Sequence, residues 1–90
     1  MPDLNNVKLS NYPNPFLGKT TIQIQNLANF EGSNMLIQNP LGQTIVSIKI
    51  PSMEFTYIWE ANGYEAGLYY CTIINNLGQR LNSMKMILLQ

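Results

Sequence analysis

The sequence predicts an all-β fold: an immunoglobulin-like antiparallel β-sandwich of about seven strands, with a small open barrel as the alternative. Three observations support this prediction. Apolar and polar residues alternate with a period of two in several short runs, turn signals recur roughly every 8–12 residues, and no stretch has helical periodicity. Because seven short antiparallel strands cannot bury their apolar faces in one flat sheet, we expect two packed sheets.

Each strand is assigned from its own alternation. In the second strand, for example, Ile22 and Ile24 take the inward positions and Thr21 and Gln23 the outward ones. The first strand is short and is expected at an edge of a sheet. Together the runs place strands near residues 7–10, 20–25, 35–37, 44–50, 54–60, 67–74 and 80–89.

Between the first two strands lies the segment Tyr12-Pro13-Asn14-Pro15-Phe16. Its two prolines lack a backbone N–H and fix the backbone, which excludes both a helix and a central strand. We expect an extended bend that places the rings of Tyr12 and Phe16 on the core.

Two later connections have the sequence signature of tight hairpin turns. Residues 39–42 read Asn-Pro-Leu-Gly, which suits a type I turn followed by a glycine. The tripeptide Leu-Gly-Gln occurs at residues 41–43 and again at residues 77–79. The sequence therefore predicts two similar turns, one before the fourth strand and one before the last.

The last two strands form a predicted hairpin that ends in an apolar run. Tyr69, Cys71 and Ile73 share the face that we assign to the core. An apolar strand at the end of a chain is expected to be paired in a sheet, bound by a partner, or both. Its alternation places Met84, Met86 and Leu88 on one face and Lys85, Ile87 and Leu89 on the other.

Length and charge narrow the classes of protein. Ninety residues, 46% of them hydrophobic, suit one folded domain. Five basic and five acidic residues cancel and are scattered, which disfavours nucleic acid as a partner. No apolar run approaches the roughly 20 residues that span a bilayer. No secretory leader is evident either, so an exported protein would carry its leader on a longer precursor.

The sequence predicts no catalytic, metal or cofactor site. It has no histidine, the commonest general base, and only one cysteine. Glu60 and Glu65 could approach one another as a carboxylate pair, or bind calcium together with Asn62, but solvated residues of a hairpin connection explain them better. Cys71 lies in the middle of a strand and is interpreted as a small buried hydrophobe.

Aromatic side chains at Phe55, Tyr57 and Trp59 leave a second function open. Because they share one face of a strand, they could form a sugar-stacking platform in a carbohydrate-binding or adhesion module. Aromatic residues on a sandwich strand are more often part of the core, and we favour that interpretation.

Several short pieces of the sequence occur in the order and spacing of one known family. They are Tyr12, Pro13, Asn14, Pro15, Phe16, Thr20, Thr21, Ile22, Ile37, Asn39, Leu41, Gly42, Gly67, Leu68, Tyr69, Gly78, Lys85, Met86, Ile87, Leu88 and Leu89. Through these pieces, from Leu9 to Leu89, the chain resembles the type A C-terminal sorting domain of the type IX secretion system in the Bacteroidota.

This resemblance implies a non-catalytic secretion signal. Residues 1–6 would be the lead-in from an upstream cargo protein, and residues 7–90 the sorting domain. The cargo would fold in the periplasm and be directed through the outer-membrane translocon, and a surface sortase would usually remove the domain. The expected partners are an outer-membrane shuttle and the sortase, with self-association through sheet edges as a further expectation. The residues expected to be recognised are Lys85, Met86, Ile87, Leu88, Leu89 and Gln90.

Overall fold

Seven strands form two antiparallel sheets in the computed structural model, which describes residues 6–90. The predicted all-β sandwich is confirmed. The described part of the chain contains no helix that could cross a membrane. The predicted lead-in, residues 1–6, lies almost wholly outside the described residues. The strands are β1 (Lys8–Tyr12), β2 (Lys19–Gln25), β3 (Asn34–Gln38), β4 (Thr44–Lys49), β5 (Phe55–Glu60), β6 (Gly67–Ile74) and β7 (Arg80–Leu88).

The strands divide into a three-stranded sheet of order β1-β2-β5 and a four-stranded sheet of order β4-β3-β6-β7. The alternation that predicted them is also the alternation of burial. In β2, Ile22 and Ile24 are buried while Gln23 and Gln25 are exposed, and in β6 Tyr69 and Cys71 are buried. The inward residues of both sheets meet in one hydrophobic core.

An aromatic cluster fills the core near the start of β6. The Trp59 ring lies 5.7 Å from Phe16 and 5.3 Å from Tyr69, measured between ring centroids. Both distances are in the range where tilted or edge-on aromatic pairs are favourable. Alternation in the predicted strand at residues 44–50 places Ile48 on the core face, but it is only half-buried, because β4 is the edge strand of its sheet.

The two hairpin turns share one hydrogen-bond pattern. In each, the backbone N–H of a glycine donates to the carbonyl of the residue three before it, Gly42 to Asn39 and Gly78 to Asn75. Each asparagine Oδ1 also accepts from two backbone N–H groups further along its turn. Both glycines have left-handed φ, 84° and 79°, where a side chain would strain the backbone. The predicted pair of similar turns is confirmed.

Candidate functional site

The terminal strand β7 is paired along both of its edges near its end. On one side it pairs with β6, with Leu88 opposite Gly67. On the other side it meets residues 14–18, which we call the clamp segment and which runs parallel to it. Phe16 N–H donates to the Ile87 carbonyl, and Leu89 N–H donates to the Phe16 carbonyl, both at 2.9 Å. Gly18 N–H donates to the Gln90 carbonyl, also at 2.9 Å.

Asn14 extends this pairing with its side chain. It lies between Pro13 and Pro15, neither of which has a backbone N–H to donate. The Asn14 Oδ1 accepts from Ile87 N–H at 2.9 Å, and the Asn14 Nδ2 donates to the Lys85 carbonyl at 3.2 Å. One side-chain amide therefore supplies the donor and the acceptor that a neighbouring strand would offer. At this edge the N–H groups of Ile87 and Leu89 and the carbonyls of Lys85, Ile87 and Gln90 are therefore hydrogen-bonded.

The clamp segment is itself fixed to the three-stranded sheet. The Thr20 hydroxyl, which is buried at the start of β2, donates to the Pro13 carbonyl at 2.8 Å. Ala61 N–H donates to the Gly18 carbonyl at 2.7 Å. The Phe16 side chain is 1% exposed and packs against Trp59. The segment thus joins the terminal strand of one sheet to the other sheet.

Asn14→Ala should open the clamp locally. The variant loses two hydrogen bonds and leaves Ile87 N–H without its partner, so we expect the free energy of unfolding to fall by about 1–2 kcal/mol. Native-state hydrogen exchange at the Ile87 amide should accelerate markedly. Asn14→Asp is the matched control, because its oxygen can still accept from Ile87 N–H. Unchanged exchange at Ile87 in Asn14→Ala would show that the amide bridge does not protect the strand edge.

The structure divides the six residues predicted as the recognition sequence into two sets. Met86 and Leu88 are buried in the core. Lys85 and Gln90 are exposed, and Ile87 and Leu89 are 42% and 50% exposed. The predicted assignment of faces is confirmed. Recognition itself stays a prediction, and only the exposed set presents side chains to a partner without unfolding.

Tyr69 is fixed by a contact typical of Greek-key sandwiches. Its hydroxyl donates to the Glu65 carbonyl at 2.6 Å, four residues earlier, as in the tyrosine corner. Burial is the main cause of the raised pKa of the Tyr69 phenol, and the charge of Glu65 adds to it. A neutral phenol keeps its proton for this bond, which anchors the start of β6 beside the end of β7.

One expectation for the early motif is wrong. Tyr12 does not pack on the core but is 82% exposed. It takes the last outward position of β1, opposite Thr21, because Lys8 and Ser10 set the same outward alternation. Phe16 is buried as expected, so the bend delivers one ring to the core and leaves the other in solvent.

The residues considered for chemistry take structural positions. Trp59 is buried, and Phe55 and Tyr57 are half-buried against the core, so the aromatic face is interior. Burial raises the pKa of the Cys71 thiol to about 12, which keeps it protonated and unreactive at neutral pH. Within residues 6–90, no group of three or more His, Cys, Asp or Glu side chains could hold a metal ion.

Sequence reasoning missed the closure of the strand edge and the role of Asn14 in it. The partners lie 71 and 73 residues apart along the chain, and no local pattern pairs them. The one available signal was an asparagine between two prolines. Such a residue has a free side-chain amide in a segment that is short of backbone donors.

Comparison with known protein families matches nearly the whole of the described chain. A family model described as "Secretion system C-terminal sorting domain" matches residues 10–88. A search of curated proteins found no match. The fold is similar to part of PorZ, described as an essential bacterial surface component of the type-IX secretion system of Porphyromonas gingivalis. The TM-score is 0.64 at 17% identity, and the match covers 91% of this chain and 11% of that one. At this identity the likeness concerns the fold alone.

Proposed function

Because the chain belongs to the family of secretion-system C-terminal sorting domains, we propose that it directs a larger cargo protein through the outer-membrane translocon of a type IX secretion system. In this proposal the cargo precedes residue 7, crosses the periplasm, and is then secreted or held at the cell surface. The domain contributes no catalysis. It acts as a folded signal that an outer-membrane shuttle binds and that a surface sortase then removes.

The observation that carries the proposal is the extent of the family match. Residues 10–88 include both the clamp segment and the whole of the terminal strand β7. These two parts are distant in sequence and adjacent in the fold, since Phe16 pairs with Leu88. A signal that consisted only of a short C-terminal tail would not need a folded domain around it. We therefore infer that the folded sandwich and the tail act together.

The hydrogen-bonded edge of β7 favours recognition of the tail through its side chains over recognition by strand addition. A partner that adds a strand to a sheet needs unpaired N–H and C=O groups at the edge. At the end of β7 these groups are bonded to Asn14, Phe16 and Gly18. We infer that the tail is recognised in place, through the outward side chains of Lys85, Ile87 and Leu89.

The alternative, a carbohydrate-binding or adhesion module, has less support. Its candidate platform, Phe55, Tyr57 and Trp59, packs against the core and offers no flat aromatic surface. Self-association remains a proposal for the outer strands β1, β4 and β5, whose far edges pair with no other strand among residues 6–90. It would not use the end of β7, because the clamp segment occupies that edge.

A reporter fusion tests the proposal. The chain is fused to the C-terminus of a reporter that carries a leader and folds in the periplasm. We expect the reporter in the medium or on the surface of a type IX-competent cell, and inside an otherwise identical strain that lacks the translocon. Equal retention in both strains would refute the function. Deleting residues 85–90 is a poor substitute, because it removes the buried side chains of Met86 and Leu88.

A further inference from the structure

The outward side of the four-stranded sheet, which we call the outer face, continues the surface of the terminal strand. Strand register places Leu68 beside Ile87, and Tyr70 between Gln38 and Lys85. Along this face the half-buried apolar side chains of β6 therefore lie next to the outward residues of β7. A partner that contacts Ile87 and Lys85 from outside also reaches Leu68 and Tyr70.

The charged strand residues of the outer face are all basic, although the chain has equal numbers of acidic and basic residues. Its outward strand positions include Lys49, Arg80 and Lys85 and no acidic residue. Lys49 borders a groove of about 490 Å³ whose lining also includes Glu31. Arg80 and Lys85 are both exposed on β7, so the cationic character is concentrated on the terminal strand.

The other sheet provides a contrast. Its outward positions pair Lys19 with Glu60 in adjacent strands, so opposite charges are mixed there. Glu54 lies just before β5 and Glu65 in the connection before β6, so neither is on a strand of the outer face. The outer face therefore differs in that its strands carry no acidic residue, whereas the other side carries Glu60 together with Lys8 and Lys19.

We propose that the secretion machinery binds the outer face as one surface, with an acidic protein patch opposite Arg80 and Lys85 and an apolar centre opposite Leu68, Tyr70 and Ile87. This inference rests on the proposed function and extends the recognised surface from the tail to strand β6. Interfaces of this kind combine an apolar centre with a polar rim and gain orientation from charge complementarity.

A protein fits this surface better than a membrane does. Binding to anionic lipid through electrostatics typically uses clusters of about 4–8 Lys or Arg residues. Among the described strand residues, the outer face has three cations, and one of them, Lys49, borders the groove that Glu31 also lines. Interfacial insertion also needs apolar side chains that protrude, whereas Leu68 and Tyr70 are half-buried and only Ile87 of the apolar centre is exposed. An apolar centre with few charges is typical of a protein interface.

Export of the reporter fusion tests the proposal. The variant carries Tyr70→Thr and Arg80→Gln, and the matched control carries Ile58→Thr and Lys8→Gln on the opposite sheet. We expect export of the variant to fall about tenfold and export of the control to stay near wild type. Circular dichroism of the purified domains should show that both are folded. Wild-type export from the double variant would overturn the proposal. Failure of the unmodified fusion would instead refute the sorting function.

Two further measurements settle the remaining outcomes. If Tyr70→Thr unfolds the domain, the single variants Arg80→Glu and Arg80→Lys test the proposal instead. Arg80 is exposed, so these substitutions should leave the domain folded. We expect the glutamate variant to lose export and the lysine variant to keep it, and equal export would overturn the proposal. In flotation with vesicles of phosphatidylglycerol and phosphatidylcholine, we expect no binding. Binding that Tyr70→Thr with Arg80→Gln abolishes would assign the face to a membrane and overturn the protein partner.

Discussion

Replacing Phe16 by alanine should lower the free energy of unfolding by about 3–5 kcal/mol, the usual cost of removing a large aromatic side chain from a core. Phe16 is 1% exposed and packs against Trp59, so the substitution leaves a cavity between the two sheets. Its backbone also pairs with Ile87 and Leu89, and loss of the anchor should loosen that pairing. Denaturant unfolding measures the first effect, and hydrogen exchange at the Leu89 amide measures the second.

Leu17→Ala is the matched control for Phe16→Ala. Leu17 is the next residue along the clamp segment and is 66% exposed. Its truncation should change the free energy of unfolding by no more than about 0.5 kcal/mol. If Phe16→Ala costs as little as Leu17→Ala, the clamp segment contributes nothing to the stability of the sandwich.

The strands and their faces could be predicted from sequence because strand periodicity is local. Alternation of side chains with period two places Tyr69 and Cys71 inward and Lys85 and Ile87 outward without any tertiary information. The two turns were equally predictable, since asparagine and glycine at fixed spacing specify that turn.

The closure of the strand edge and the position of Tyr12 could not be predicted in this way. Parallel pairing of Phe16 with Leu88 joins distant parts of the chain, and no short pattern specifies such a partner. The expected position of the Tyr12 ring is on the core, like that of Phe16. Its strand register instead sets it outward, opposite Thr21. For the candidate site, the sequence predicted which tail side chains are exposed but not that their backbone is held.

Lys85→Ala combined with Leu89→Ser should abolish most export while leaving the domain folded. Both side chains are exposed, so the two substitutions together should cost no more than about 1 kcal/mol of stability. If a partner binds these side chains in place, their loss removes one charged and one apolar contact beside Ile87 at the end of the terminal strand. We expect export to fall about tenfold or more.

The control must match this variant in chemistry and exposure. Lys8→Ala with Leu77→Ser fulfils this condition, because Lys8 is exposed on β1 and Leu77 is 77% exposed in the turn before β7. Neither residue lies near the end of the terminal strand. Thermal unfolding of each purified domain shows whether the substitutions leave the fold intact.

The most direct test of the account is the ratio of secreted to retained reporter for Lys85→Ala with Leu89→Ser, measured beside Lys8→Ala with Leu77→Ser in one type IX-competent strain. The account predicts that the tail variant stays in the cell and the control variant is secreted like wild type, with both domains folded. Equal secretion of the two folded variants would contradict recognition of the terminal strand through its outward side chains.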